Sequence, residues 1–158
     1  MKKFKILEEV MSIQLALIRH GDAPYHIDDH QRQLSQLGKK EAETTGQYLQ
    51  EISFIPQEIF HSGLDRARDT TQIIRDTLGI NTSIQISPDL RPESNPVIWE
   101  NNLMVLEKNT MIVSHMPYLP MLLELLCNRR VSFPTAGCVI LEKAHFDDPH
   151  WKIVRANF

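Results

Sequence analysis

Ile13-Gln14-Leu15-Ala16-Leu17-Ile18-Arg19-His20-Gly21 decides the reading of this chain. The run from Ile13 to Ile18 has the pattern of a buried strand. It ends on a guanidinium, an imidazole and a glycine, and a strand end is where an α/β protein presents a reacting group. The strand fixes His20, while Gly21, lacking a Cβ, lets the backbone approach a ligand closely.

Outward from that stretch, strand and helix patterns alternate. Ser35 offers an N-cap for a helix whose apolar positions Leu37, Ala42, Thr45, Leu49 and Ile52 fall near helical period. Glu58 to His61 reads as a short strand and Asp65 to Leu78 as an amphipathic helix that Gly79 terminates. Ser83 to Ile86 reads as another extended segment. A proline-rich stretch, Ser87 to Pro96, precedes a helix expected over Val97 to Lys108. Met111 to Val113 forms a strand closing at Ser114-His115, and Pro117 suits the first turn of the helix after it. Val139 to Leu141 and Trp151 to Val154 supply the last strands. With no repeat, linker or shift in composition, this predicts a single α/β domain over residues 13–158, with residues 1–12 as a short N-terminal extension.

Three strand ends then carry candidates for one site: Arg19 and His20, Ser62 and Arg66, and His115. Parallel strands bring such ends together. Arg forks match phosphate oxygens bidentately and helix N-termini add partial positive charge, so the natural ligand of this set is a phosphate. Fixed cations also stabilise the charge that spreads over phosphorus-bound oxygens during displacement. Neutral His20 suits the nucleophile, forming a covalent phosphohistidine, and His115 suits a hydrogen-bond donor to a phosphoryl oxygen.

Composition sets the bounds. The 158 residues are 42% hydrophobic, and 17 basic against 20 acidic residues leave a formal charge of -3. Bulk charge therefore points to neither nucleic acid nor an anionic membrane as partner. Cys127 and Cys138 lack metal-ligand spacing and read as buried, reduced thiols of a cytoplasmic protein. The lysines of the N-terminus do not head an export signal, because Glu8 and Glu9 interrupt the apolar run. Met116 to Cys127 is too short and too broken by Pro117, Pro120 and Glu124 to span a bilayer. His26, His30, His61, His145 and His150 have no regular metal spacing, and His61 reads as a strand-end histidine bonded to backbone. No metal, no cofactor and a monomer are the expectations.

The motifs resemble the histidine phosphatase superfamily with the phosphoglycerate mutase-like fold, and within it the short SixA-type phosphohistidine phosphatases. Leu17-Ile18-Arg19-His20-Gly21-Asp22-Ala23 is similar to the signature. Gln33 to Gly38 resembles the segment that opens the first helix, Ser62 to Thr70 the Ser-Pro-x-x-Arg-Ala segment with Gly63 in place of proline, and Val113 to Pro117 the second-histidine motif. The resemblance implies a three-layer sandwich, a mostly parallel central sheet flanked by helices. It implies His20 as phosphoacceptor, Arg19 and Arg66 as phosphoryl ligands, and His115 completing the pocket, with Gly21 and Ser62 among the substrate-binding residues. The implied partners are histidine-phosphorylated signalling or phosphotransfer domains.

The general acid is the open position. Ester-cleaving relatives place an acid after the third segment, and here Glu93 and Asp22 are the candidates. A phosphohistidine substrate lowers the demand, because a departing imidazole is protonated on its own ring near neutral pH. Alternatives are a small-molecule phosphomonoesterase or mutase of the same superfamily, or a phosphate-binding module without turnover.

Overall fold

A computed structural model describes residues 12–158; the extension expected over residues 1–12 lies, apart from Ser12, outside them. Along the chain come β1 (Ile13–Arg19), α1 (Gln36–Glu51), β2 (Glu58–His61), α2 (Asp65–Leu78) and β3 (Ile84–Ile86). α3 (Pro96–Met104), β4 (Thr110–Ser114), α4 (Tyr118–Cys127), β5 (Cys138–Lys143) and β6 (Lys152–Ala156) complete it, with 3-10 turns at Asp29–Gln31 and Pro88–Leu90.

Among the described residues the strands form one sheet in the order β3-β2-β4-β1-β5-β6. β3, β2, β4 and β1 run parallel, and β5 and β6 add an antiparallel edge. Near-continuous burial of β1 follows from its place inside the sheet with both faces covered. Alternation along β1 divides the core. Leu15 and Leu17 join Ile112, Val139, Trp99, Leu103, Leu119 and Leu122 on the face of α3 and α4. Ala16 and Ile18 join Met111, Val113, Ala42, Leu49, Ala67 and Ile74 on the face of α1 and α2. Each fully buried Leu or Ile contributes about 2 kcal/mol. The result is the expected α/β three-layer sandwich with a mostly parallel sheet.

Local signals place most boundaries. Ser35 Oγ accepts the Gly38 N–H at 3.0 Å and starts α1. Gly79, at φ 67°, stops α2 in the left-handed conformation that glycine adopts without strain. Four details differ from expectation. Leu37 is exposed, because the first turn of α1 faces solvent while Gly38 packs inward. α3 starts at Pro96, capped by the Asn95 side chain, and ends at Met104 rather than Lys108. Its last carbonyls, those of Leu103 and Met104, accept hydrogen bonds from the buried Lys143 Nζ at 3.1 and 3.0 Å, so a residue forty positions away closes the helix. Pro117 stands at the cap position of α4 rather than within its first turn. Cys138 is buried, but Cys127 is only half-buried; both are free thiols. No helix among the described residues is long and apolar enough to cross a membrane.

Candidate active site

The sheet order sets β4 between β1 and β2, so the C-terminal ends of three parallel strands lie side by side. Register fixes the pairing: Arg19 sits opposite Ser114, and the His20 N–H donates to the Ser114 carbonyl at 3.1 Å. His20 and His115 therefore meet, with ring centroids 5.0 Å apart, tilted by 50°. Arg66 reaches the same place from the first turn of α2, directly after β2.

The hydrogen bonds define the protonation of each ring. His20 Nδ1 lies 2.7 Å from the Gly21 carbonyl, an acceptor without a proton, so Nδ1 carries the hydrogen. In the neutral ring Nε2 is then bare, which is the requirement for a nucleophile. Ser62 Oγ accepts the Leu64 N–H at 3.3 Å and lies 2.6 Å from His115 Nε2. When the Ser62 hydroxyl donates to Nε2, the proton of His115 resides on Nδ1. Among the described residues that buried Nδ1 has no hydrogen-bond partner, and in this tautomer it is a donor available to an anion.

Burial, more than charge, keeps both rings neutral. It pushes the His20 imidazole down to about 4, against an opposing pull from the Gly21 carbonyl and with help from Arg66, Arg19 and Arg32. Burial likewise pushes His115 down to about 2, aided by His20 and the same arginines. Arg19 Nη1 donates to the Phe133 carbonyl at 2.9 Å, and Arg66 Nη1 to the Asp29 carbonyl at 2.9 Å. Burial lowers both guanidiniums from their ordinary value. The Nε atoms of Arg19, Arg32 and Arg66 are buried and make no hydrogen bond among the described residues. The charges of Arg66, Arg19 and Arg32 all bear on the His20 ring, an arrangement suited to holding an oxyanion beside an imidazole that can attack it.

The structure places His20, Arg19, Ser62, Arg66 and His115 together at the ends of β1, β2 and β4. Gly21 enters differently. A Cβ there would stand 2.5 Å from the Gly38 carbonyl oxygen, and its N–H donates to Thr70 Oγ1 at 3.0 Å. The close approach that requires glycine is thus to the start of α1. Ser62 acts on His115 rather than opening onto a ligand, because its Oγ is buried and engaged by the ring. Asp22 Oδ2 accepts the Ser35 hydroxyl at 2.6 Å, tying it to the cap of α1. Glu93 is exposed and lies within electrostatic reach of Arg66. His61 behaves as expected, its Nδ1 accepting the Gly63 N–H at 3.0 Å.

Sequence reasoning missed Arg32. Its Nη2 donates to the Ala23 carbonyl at 2.7 Å, and its charge bears on His20, His115 and Arg66. A signal existed, since Arg32 immediately precedes the Gln33 to Gly38 motif, but the segment before it has no helical or strand period to announce a site.

A family model described as the histidine phosphatase superfamily (branch 1) matches residues 15–105. The chain belongs to the histidine phosphatase superfamily. His115 falls beyond the matched residues and is brought to the site by the pairing of β4 with β1. The protein histidine phosphatase SixA complexed with tungstate superposes with a TM-score of 0.84 at 21% identity, covering 91% of this chain and 96% of that one. A mycobacterial glucosyl-3-phosphoglycerate phosphatase superposes at 0.66 and 15% identity, over 90% of this chain and 97% of that one. At such identities the likeness establishes the shared fold. In sequence, the mitochondrial serine/threonine-protein phosphatase PGAM5 of Mus musculus is 38% identical over 85 residues, 51% of this chain. The match takes in 28% of that relative's length, so the chain spans only a minor part of it.

Proposed function

We propose that this protein is a phosphohistidine phosphatase that removes phosphate from histidine-phosphorylated proteins through a covalent phosphohistidine on His20. The observation that carries the proposal is a neutral, buried His20 with a bare Nε2, set beside the His115 ring and under the charges of Arg66, Arg19 and Arg32. In the first step Nε2 bonds to phosphorus as the P–N bond of the substrate breaks. The electron pair stays on the departing imidazole nitrogen, which takes a proton from solvent. Water then attacks the phosphoenzyme, its P–N bond breaks, and inorganic phosphate leaves neutral His20 behind. The guanidiniums and the Nδ1–H of His115 hold the non-bridging oxygens throughout.

Two features favour a phosphoramidate. Asp22 is engaged by Ser35 and Glu93 is exposed, so neither is held as a buried acid, and imidazole leaves without one. The second is the likeness to SixA, named a protein histidine phosphatase, over nearly the whole of both chains. The positive charge that a metal would supply is already present as guanidinium, so the reaction runs without a metal or cofactor. A monomer acting in the cytoplasm on a phosphotransfer or signalling domain, with neither nucleic acid nor membrane as partner, completes the proposal.

A second reading is a serine/threonine-protein phosphatase, favoured by the 38% identity to PGAM5. The experiment is turnover of a histidine-phosphorylated phosphotransfer domain beside phosphoserine and phosphothreonine peptides and sugar phosphates, with EDTA present and His20→Ala as control. Loss of phosphohistidine alone, abolished in His20→Ala, is the expected result. Preferential ester cleavage transfers the proposal to the second reading and gives Glu93 the acid role. Phosphate binding without a trappable phosphoenzyme reduces the protein to a binding module.

A further inference from the structure

Asp29 opens the 3-10 turn Asp29–Gln31 and pairs with two arginines, Arg66 and Arg32, whose charges bear on His20. Its Oδ2 is 3.3 Å from Arg66 Nη2 and its Oδ1 is 3.3 Å from Arg32 Nη1. Two carboxylate oxygens on two guanidiniums is how an oxyanion engages such a pair. The partners differ sharply in access: the Arg66 side chain is 3% exposed and that of Asp29 57%. Asp29 therefore closes the arginine pair from the solvent side. The turn has its own support, since the Asp28 carboxylate accepts the His30 N–H and the Gln31 side-chain amide, each at 3.0 Å.

The carboxylate is ionised. Its partial burial works against charge, and Arg66 and Arg32 outweigh that and hold the group below the usual carboxylate range. An arriving phosphoryl group must take guanidinium donors that Asp29 now occupies. In-line displacement by His20, which is 5% exposed, sends the leaving group away from that buried ring, to the solvent side on which the exposed Asp29 side chain also lies.

We infer that Asp29 is a specificity-determining residue that selects substrates by the charge beside the scissile bond, admitting neutral or cationic leaving groups such as imidazole and rejecting those that carry a second anion. This deepens the proposed function and rests on it, because the leaving group of phosphohistidine is the one such a carboxylate tolerates. A like charge about 5 Å away at a half-exposed site is worth roughly a tenfold discrimination.

The test compares the parent with Asp29→Asn and Asp29→Glu on two probes of matched leaving-group chemistry, phenyl phosphate and 3-carboxyphenyl phosphate, and measures the affinity of inorganic phosphate by calorimetry. In Asp29→Asn the ratio of kcat/KM for the carboxylated over the plain ester should rise about tenfold, and phosphate should bind several-fold tighter. Asp29→Glu, which keeps the charge, should retain the parent ratio, and high salt should shrink the parent's discrimination. An unchanged ratio in Asp29→Asn, or an equal rise in Asp29→Glu, overturns the inference. Failure of the proposed function shows separately, as absence of phosphohistidine turnover by the parent, whereas the ester ratio and phosphate affinity report on Asp29 directly.

Discussion

Lys143 and Arg66 are both buried cations, and they are satisfied in opposite ways. Lys143 Nζ donates to the carbonyls of Leu103, Met104 and Phe146 and lies 5.0 Å from the centroid of the Trp151 ring, so every proton of the ammonium has a protein acceptor. Arg66 spends two nitrogens on Asp29, an exposed and exchangeable partner, and keeps a buried Nε without any. A complete set of acceptors marks a cation that builds the fold; an incomplete set marks one that waits for an anion. The buried histidines repeat the lesson. His61 Nδ1 accepts from the Gly63 amide, whereas His20 Nδ1 donates to the Gly21 carbonyl, so the proton lies on opposite nitrogens in two rings that both close strands.

The sharpest break between the two kinds of residue is at the histidines. His20→Ala should lower phosphohistidine kcat/KM by at least about a thousandfold, as expected when the proposed covalent nucleophile is removed. A radiolabelled phosphoenzyme, trapped in acid-free gel, should vanish with it. Next come the cations. Arg66→Ala should cost about a hundredfold in kcat/KM with little loss of thermal stability, as expected when one oxyanion donor is removed. Lys143→Met should do the reverse, lowering stability by about 3 kcal/mol in chemical denaturation while leaving kcat/KM near the parent value. Loss of activity at matched stability in Lys143→Met would erase the distinction between the two cations.

Ser62→Ala sharpens the comparison at smaller amplitude. Without the hydroxyl, His115 Nε2 loses its fixed partner, and the ring no longer keeps its proton on Nδ1. About a tenfold fall in kcat/KM is expected, together with a change in the acid limb of the pH profile, and Ser62→Thr should restore both. The smallest effect is on stability against pH. His20 and His115 are neutral in the folded protein, whereas unfolded histidine takes up a proton near pH 6.5. Below about 6.5 the unfolded chain binds more protons than the folded one, so stability falls as pH drops towards about 4. Each histidine removes up to about 1.4 kcal/mol of stability per pH unit in that window and nothing above it. Denaturation midpoints at pH 7, 6 and 5 should decline faster in the parent than in His20→Ala.

What the sequence made legible was local. The strand of Ile13 to Arg19, the cap at Ser35 and the stop at Gly79 announce themselves within a few residues, and the motifs around His20, Arg66 and His115 sit at ends of such elements. What it hid was set by contacts between distant segments. The end of α3 depends on Lys143, and the exposure of Leu37 depends on how α1 enters the sheet layer. Arg32 and Asp29 lie in a stretch between Ala23 and Leu34 without a helix or strand longer than one turn, so no period flags them. Their roles come from geometry that sequence spacing does not encode: one guanidinium folded back on the Ala23 carbonyl, and one carboxylate lying across two arginines.

Gly21 and Gly38 meet backbone to backbone, and a methyl group on either would collide with the other segment, at the Gly38 carbonyl in one case and at the Asp22 carbonyl in the other. The turn after His20 and the opening of α1 are consequently a single inheritance. Neither position can drift alone through alanine, and relieving one collision leaves the other in place. Any descendant of this chain that reshapes its pocket has to do so on the far rim, in the exposed stretch from Pro24 to Gln31, where no such interlock restrains it.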